Sequence, residues 1–159
     1  AGAMRLYLCA VGRLKPGPEK SLVDDYLSRF EATGRGLGLG FGGVREADER
    51  KARTPGAAAS ELVRLIPGGA AIWALDERGA TMSSPGFADL LARNRDRGGP
   101  DVAVCIGGAD GFTPEFRDRA DRLISLGPMV FPHMLVRVML AEQLYRAATI
   151  LAGTPYHRA

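Results

Sequence analysis

Short apolar runs rich in Val, Ile, Leu and Ala alternate along this chain with longer stretches of helical period, and that alternation admits few folds. Strand-like runs are expected at residues 4–11, 36–44, 70–75, 102–106 and 123–126, the second diluted by glycine. Helices are expected over 18–31, from Thr54-Pro55 to about Ile66, from Ser84-Pro85 to about Arg95, from Thr113-Pro114 onward, and over 132–152. Hydroxyl-proline pairs open three of them, the hydroxyl suited to an N-cap and the proline to the first turn. The charged stretch 45–53 reads as a solvated, mobile loop. Strands alternating with helices imply an α/β fold, a parallel sheet with helices on both faces.

Ligands of such sheets gather beyond the carboxyl ends of the strands. Here those ends are Leu75-Asp76, Ile106-Gly107 and Leu126-Gly127, which should converge on a nucleotide-sized pocket at one edge. The β-branched run before Gly107-Gly108 stops abruptly, and a third glycine follows at Gly111. Paired glycines in that place make either a tight turn or a spot where a ligand meets bare backbone. The spacing is neither that of a dinucleotide fingerprint nor that of a P-loop, so a phosphate cradle is not expected.

The stretch 132–152 is apolar on most of its circumference, which argues for burial between layers or subunits. Both histidines, His133 and His157, flank it. His133, just after Pro132, is either a surface or capping residue or a functional one. Glu142 and Arg146 stand four apart on one helix face; exposed, they would be an ordinary ion pair, but charges on an apolar helix need a partner and a reason. Arg137 points roughly the other way, so the two arginines are expected to serve different surfaces. The closing Thr154-Pro155-Tyr156-His157-Arg158 is either a frayed end or a set offering stacking, hydrogen bonding and phosphate contact to a splayed-out RNA base.

At 159 residues, 46% apolar and 25% charged, the chain reads as one domain over 4–159 with a core that needs no staples. Ala1-Gly2-Ala3 ahead of Met4 reads as a cloning leftover. No apolar run reaches the length of a membrane span and the amino end lacks a secretory pattern, so the cytoplasm is the expected location and no membrane partner is expected. Cys9 and Cys105 each sit in an apolar strand-like run and are expected to be buried thiols; no cysteine or histidine spacing implies a metal. A net charge of +3 permits an RNA partner without requiring one.

The ordered series IGGADG, FPHMLVR, AEQLYRA and PYHR, with MRLYLCAVGRLK at the start and ALDERG in the middle, resembles the small ribosomal large-subunit RNA methyltransferases that modify N3 of a pseudouridine. Those enzymes are of the SPOUT, or trefoil-knot, class. The resemblance spans nearly the whole chain and implies a C-terminal knot, with the 126–131 loop and the following helix passing through an earlier loop. It implies S-adenosylmethionine as cofactor, held by Leu75, Gly107 and the segment Leu126, Gly127, Pro128, Met129, Val130 and Phe131. Where relatives commonly carry polar residues this chain has Gly127-Pro128, and Pro128 has no N–H to donate. The implied catalytic set is His133, Glu142, Arg146, Tyr156, His157 and Arg158, with either histidine able to accept the N3 proton. The implied substrate is 23S rRNA of the assembled ribosome, and the implied assembly is a homodimer. Two other functions fit the residues: a nucleotide-binding α/β protein such as a flavin binder, and a ribosome-binding factor without catalysis.

Overall fold

The computed structural model describes residues 3–158. Ala1, Gly2 and Ala159 lie outside the described residues, and with them most of the expected leftover and the last residue of the expected domain. Five strands form one parallel sheet in the order β2-β1-β4-β3-β5: β1 (Met4–Val11), β2 (Leu39–Ala47), β3 (Ala71–Thr81), β4 (Val102–Ile106) and β5 (Arg122–Ser125). The helices are α1 (Pro18–Gly34), α2 (Pro55–Leu65), α3 (Ser84–Asp96), α4 (Pro114–Arg119) and α5 (His133–Ala152).

Side chains alternate across the central strands, so each strand feeds two cores. Leu6, Leu8, Val102 and Val104 face α1, α3 and α5, where Phe30, Leu91, Leu140 and Leu144 are buried. Tyr7, Cys9, Ile72 and Cys105 face α2 and α4, where Leu62 and Phe116 close the second layer. Both cysteines are buried free thiols, adjacent in the β1–β4 register. Helices therefore cover both faces, as the alternation requires. Three helix starts follow the hydroxyl-proline logic: Thr54 Oγ accepts from Ala57 N–H, Ser83 Oγ from Gly86 N–H and Thr113 Oγ from Phe116 N–H. The α3 cap is thus Ser83 and not Ser84, whose hydroxyl instead donates to Gln143 on α5 at 2.6 Å.

Three expectations are corrected. The second strand starts later and runs further than 36–44, so Arg45, Glu46 and Ala47 are strand and not loop, and a single 3-10 turn, Glu49–Lys51, follows. The charge pattern hid this because Glu46 is drawn inward, accepting from Leu14 N–H at 2.8 Å and from the Arg137 guanidinium at 2.7 Å. Arg137 itself serves no surface: it is 2% exposed and donates to the Val11 and Gly12 carbonyls at 2.8 and 2.6 Å. Burial works against its charge and Glu46 works for it. Finally, β3 does not stop at Leu75. It leaves the ladder for residues 76–79 and rejoins at Ala80, which pairs with the same Ile124 as Leu75 does. Gly79 makes this possible, since a Cβ there would stand 2.4 Å from the Leu123 carbonyl carbon.

Candidate active site

Beyond the carboxyl ends of β3, β4 and β5 lies a cleft of about 340 Å³, a size suited to a nucleoside-like ligand. Leu75, Gly107, Leu126, Gly127, Met129, Val130, Phe131 and His133 all line it. Its floor is the 107–111 turn, where Gly111 N–H donates to the Gly108 carbonyl at 3.0 Å and Gly111 takes a φ of 71°. A Cβ on Gly107 would sit 3.2 Å from the Gly111 carbonyl carbon, so a side chain there must displace the turn or fill the cleft. The opposite wall is the loop after β5. Ser125 shapes it, its Oγ accepting from Gly127 N–H at 3.0 Å and donating to the Gly127 carbonyl at 3.2 Å. Gly127 has a φ of 121°, which a side chain would strain. Met129 and Val130 then stand 73% and 87% exposed.

The second group of expected residues is assembled by the end of α5. Gly153 turns the chain in the left-handed conformation, and Thr154 N–H reaches back to the Thr149 carbonyl at 3.0 Å. The tail consequently lies along the helix it has just left. Tyr156 donates its hydroxyl proton to Glu142 at 2.7 Å, and Arg146 donates to the same carboxylate at 2.8 and 3.3 Å. The Arg146 guanidinium also lies 4.9 Å from the Tyr156 ring centroid, and Tyr145 packs edge-on against that ring. Burial first, and then the Glu142 carboxylate, push the Tyr156 phenol above its ordinary range. Hydrogen bonding to Glu142 likewise strengthens Arg146 as a cation. His157 Nδ1 is 3.1 Å from Arg146 Nη1. A guanidinium only donates, so Nδ1 accepts and the ring's proton sits on Nε2.

A family model described as "Predicted SPOUT methyltransferase" matches residues 4–157. The chain belongs to the SPOUT methyltransferase family. Among relatives of this SPOUT chain, ribosomal RNA large subunit methyltransferase H of Cereibacter sphaeroides is 63% identical over 155 residues, 98% of this chain and 99% of that protein. The protein of the same name from Ruegeria pomeroyi is 61% identical over the same shares. Solved structures share the fold at low identity. A probable methyltransferase from Bordetella pertussis superimposes with a TM-score of 0.53 at 16% identity, over 91% of this chain and 96% of that one. A probable methylase family protein from Haemophilus influenzae does so with 0.51 at 12%, over 98% and 70%.

Within one SPOUT chain the expected residues form two groups, not one. His133 stands at the cleft, at the first position of α5; Glu142 and Arg146 lie nine and thirteen residues further on, about 14 and 20 Å along the axis. Arg158 is exposed at the tail's end, and Pro128 is absent from the cleft lining. Residues not assigned to the cofactor from the sequence complete the cleft: Asp76 and Glu77 from the β3 bulge, Asp110 from the glycine turn, and Arg78, paired with Asp76 at 3.3 Å. All four lie inside the ALDERG and IGGADG motifs, just past strand ends. Across the Leu126-Gly127 backbone lies a larger, mostly apolar cleft of about 440 Å³, bounded by Leu22, Met82, Phe87, Val138, Met139 and Glu142. Among the described residues no cluster of three or more His, Cys, Asp or Glu is placed to hold a metal, and no helix is long and apolar enough to cross a membrane.

Proposed function

We propose that this chain is an S-adenosylmethionine-dependent methyltransferase acting on N3 of a pseudouridine in 23S rRNA of the assembled ribosome. The observation that carries the cofactor choice is the charge of the strand-end cleft. It is lined by three carboxylates, Asp76, Glu77 and Asp110, against one arginine that is already paired. Such a wall favours a sulfonium and an ammonium and opposes the phosphate of a flavin nucleotide. The glycine turn and the apolar Leu75, Leu126 and Phe131 suit an adenosine. S-adenosylmethionine supplies the activated methyl group. The chain's task is to align the acceptor and take away the N3 proton.

His133 is the proton acceptor in this scheme, because its ring has no partner among the described residues and borders the cleft. His157 is differently employed: with Nδ1 held by Arg146, its Nε2–H is a donor, suited to the base carbonyls that gain negative charge as N3 is deprotonated. Arg158 adds positive charge beside it. The distance between the two groups along α5 supports a homodimer in which one subunit's tail reaches the other's cleft. The apolar cleft beside Glu142 and the exposed Met134 and Leu135 supply surface for that contact. The test is transfer of a labelled methyl group from S-adenosylmethionine to intact ribosomes, with product mapping to a pseudouridine. Calorimetry against S-adenosylmethionine and flavin mononucleotide separates the nucleotide-binding alternative; binding to ribosomes without transfer would indicate a non-catalytic factor.

A further inference from the structure

The far side of the glycine turn holds a third, smaller cleft of about 230 Å³. Its walls come from β1 and the start of α2: Val11, Ala52, Pro55 and Ala58 are apolar, while Glu49 and Asp110 bring carboxylates. It shares Gly108, Ala109, Asp110, Gly111 and His133 with the strand-end cleft, so the two open on opposite sides of one turn and one histidine. Nothing in the transfer scheme uses it.

Exposed cations without an ion pair stand in the segments next to this cleft's walls. On and just after α1 the cations are spent in pairs, Lys20 with Asp24, Arg29 with Asp25 and Arg35 with Glu31. Arg50 is likewise tied to Asp48. Arg13, Lys15, Lys51 and Arg53, by contrast, make no ion pair among the described residues, and Arg13, Lys51 and Arg53 are exposed. Arg13 follows Gly12, which lies against Glu49, a Cβ there standing 3.0 Å from Glu49 Oε1. Lys51 and Arg53 flank Ala52 in the cleft wall. Leaving cations unpaired at one edge costs mutual repulsion, and a polyanion relieves it.

We propose that this cleft seats a nucleotide of the RNA substrate next to the one being methylated. The base enters between the glycine turn and α2, and its phosphates lie on Arg13, Lys51 and Arg53. The cleft is below the size of a drug-like site and matches a single base. Glu49 and Asp110 only accept hydrogen bonds when ionised, which favours the amino groups of adenine, guanine or cytosine over the single N3–H of uracil. Splayed-out bases are the usual currency of RNA recognition, and a neighbour held here would fix the acceptor's approach to His133. The substrate class rests on the function proposed above; the site itself does not.

Two variants test it, each measured by co-sedimentation with unmethylated ribosomes over a salt series and by methyl transfer. In the triple variant Arg13→Gln, Lys51→Gln, Arg53→Gln, the KM for ribosomes should rise at least about tenfold while S-adenosylmethionine affinity is unchanged. The slope of log affinity against log salt should fall by roughly 2–3, about 0.7–0.9 for each phosphate no longer neutralised. In Ala52→Trp, which fills the cleft from its wall, KM should rise with the salt slope kept. Wild-type ribosome affinity and salt slope in the triple variant would overturn the proposal. A wild-type KM in Ala52→Trp would remove the base from the cleft. If wild type bound ribosomes with the steep slope but transferred no methyl group, the enzymatic function would fall and this site would stand.

Discussion

The two ends of α5 are built of opposite materials. At its amino end the cleft is made of backbone: glycines at 107, 111 and 127, a loop whose Met129 and Val130 face solvent, and a histidine with no partner among the described residues. At its carboxyl end the polar groups answer one another, Tyr156 and Arg146 on Glu142 and His157 on Arg146. The first end offers backbone and apolar wall with one free imidazole among the described residues. The second is a preassembled unit whose side chains hold one another in place, as the dimer proposed above would require.

That contrast breaks most visibly at Gly107. Gly107→Arg should abolish S-adenosylmethionine binding in a folded protein, because even a Cβ there meets the Gly111 backbone; unchanged calorimetric affinity would move the cofactor elsewhere. Mixing this variant with a chain lacking residues 156–159, each inactive alone, sharpens the comparison. If the tail acts across a dimer, random reassortment restores about a quarter of wild-type transfer. If tail and cleft act within one chain, mixing verified heterodimers restores nothing.

Next in size is the division between the histidines. His133→Asn should lower kcat by on the order of 10²–10³ with cofactor affinity kept, as for loss of a proton acceptor. His157→Gln, which can still donate, should cost less than a tenth of that on the same transfer assay. An inverted ranking would give the proton to the tail histidine. Arg137→Met probes the join between α5 and the sheet: removing one member of a buried pair costs about 3 kcal/mol, the low end because Glu46 keeps some water. Thermal melting should show a fall on the order of 10 °C.

The smallest effect concerns the tail's own lock. Tyr156 has its folded phenol raised above the ordinary 10.0, so the docking it contributes is complete below about that pH and fades as pH climbs through the folded value. An absorbance titration should show a late tyrosine step that Tyr156→Phe removes. A late step that persists in the variant would assign it to another ring.

All five strands, all five helices and both sheet faces were legible in the hydrophobic periods, since buried central strands such as β1 and β4 leave near-continuous apolar runs. The strand-end cleft was legible too, because glycines and strand ends mark it. What stayed hidden depends on partners distant in the chain. Glu46 and Arg137 read as solvated charges until the fold sets them 2.7 Å apart. The β3 bulge read as the strand's end because Asp76, Glu77 and Arg78 are charged, and only β5 lying alongside keeps the strand going. Glu142 and Arg146 were legible as a pair at helical spacing, but the separation of His133 from them needs the helix to be straight and the tail to fold back.

The placing of β1 has a consequence for how the chain is made. Its neighbours are β2, which follows at Leu39, and β4, which begins only at Val102. At roughly 5–20 residues per second a nascent β1–β2 pair waits about 3–11 s after Ala47 for β4 to be synthesised, and longer for β4 to clear the exit tunnel. Through that interval the edge that will receive β4, with Leu6, Leu8 and Cys9 on it, is an unpaired apolar template open to a second nascent chain. On a crowded polysome, slower translation of the middle third of the message should therefore lower the yield of folded protein.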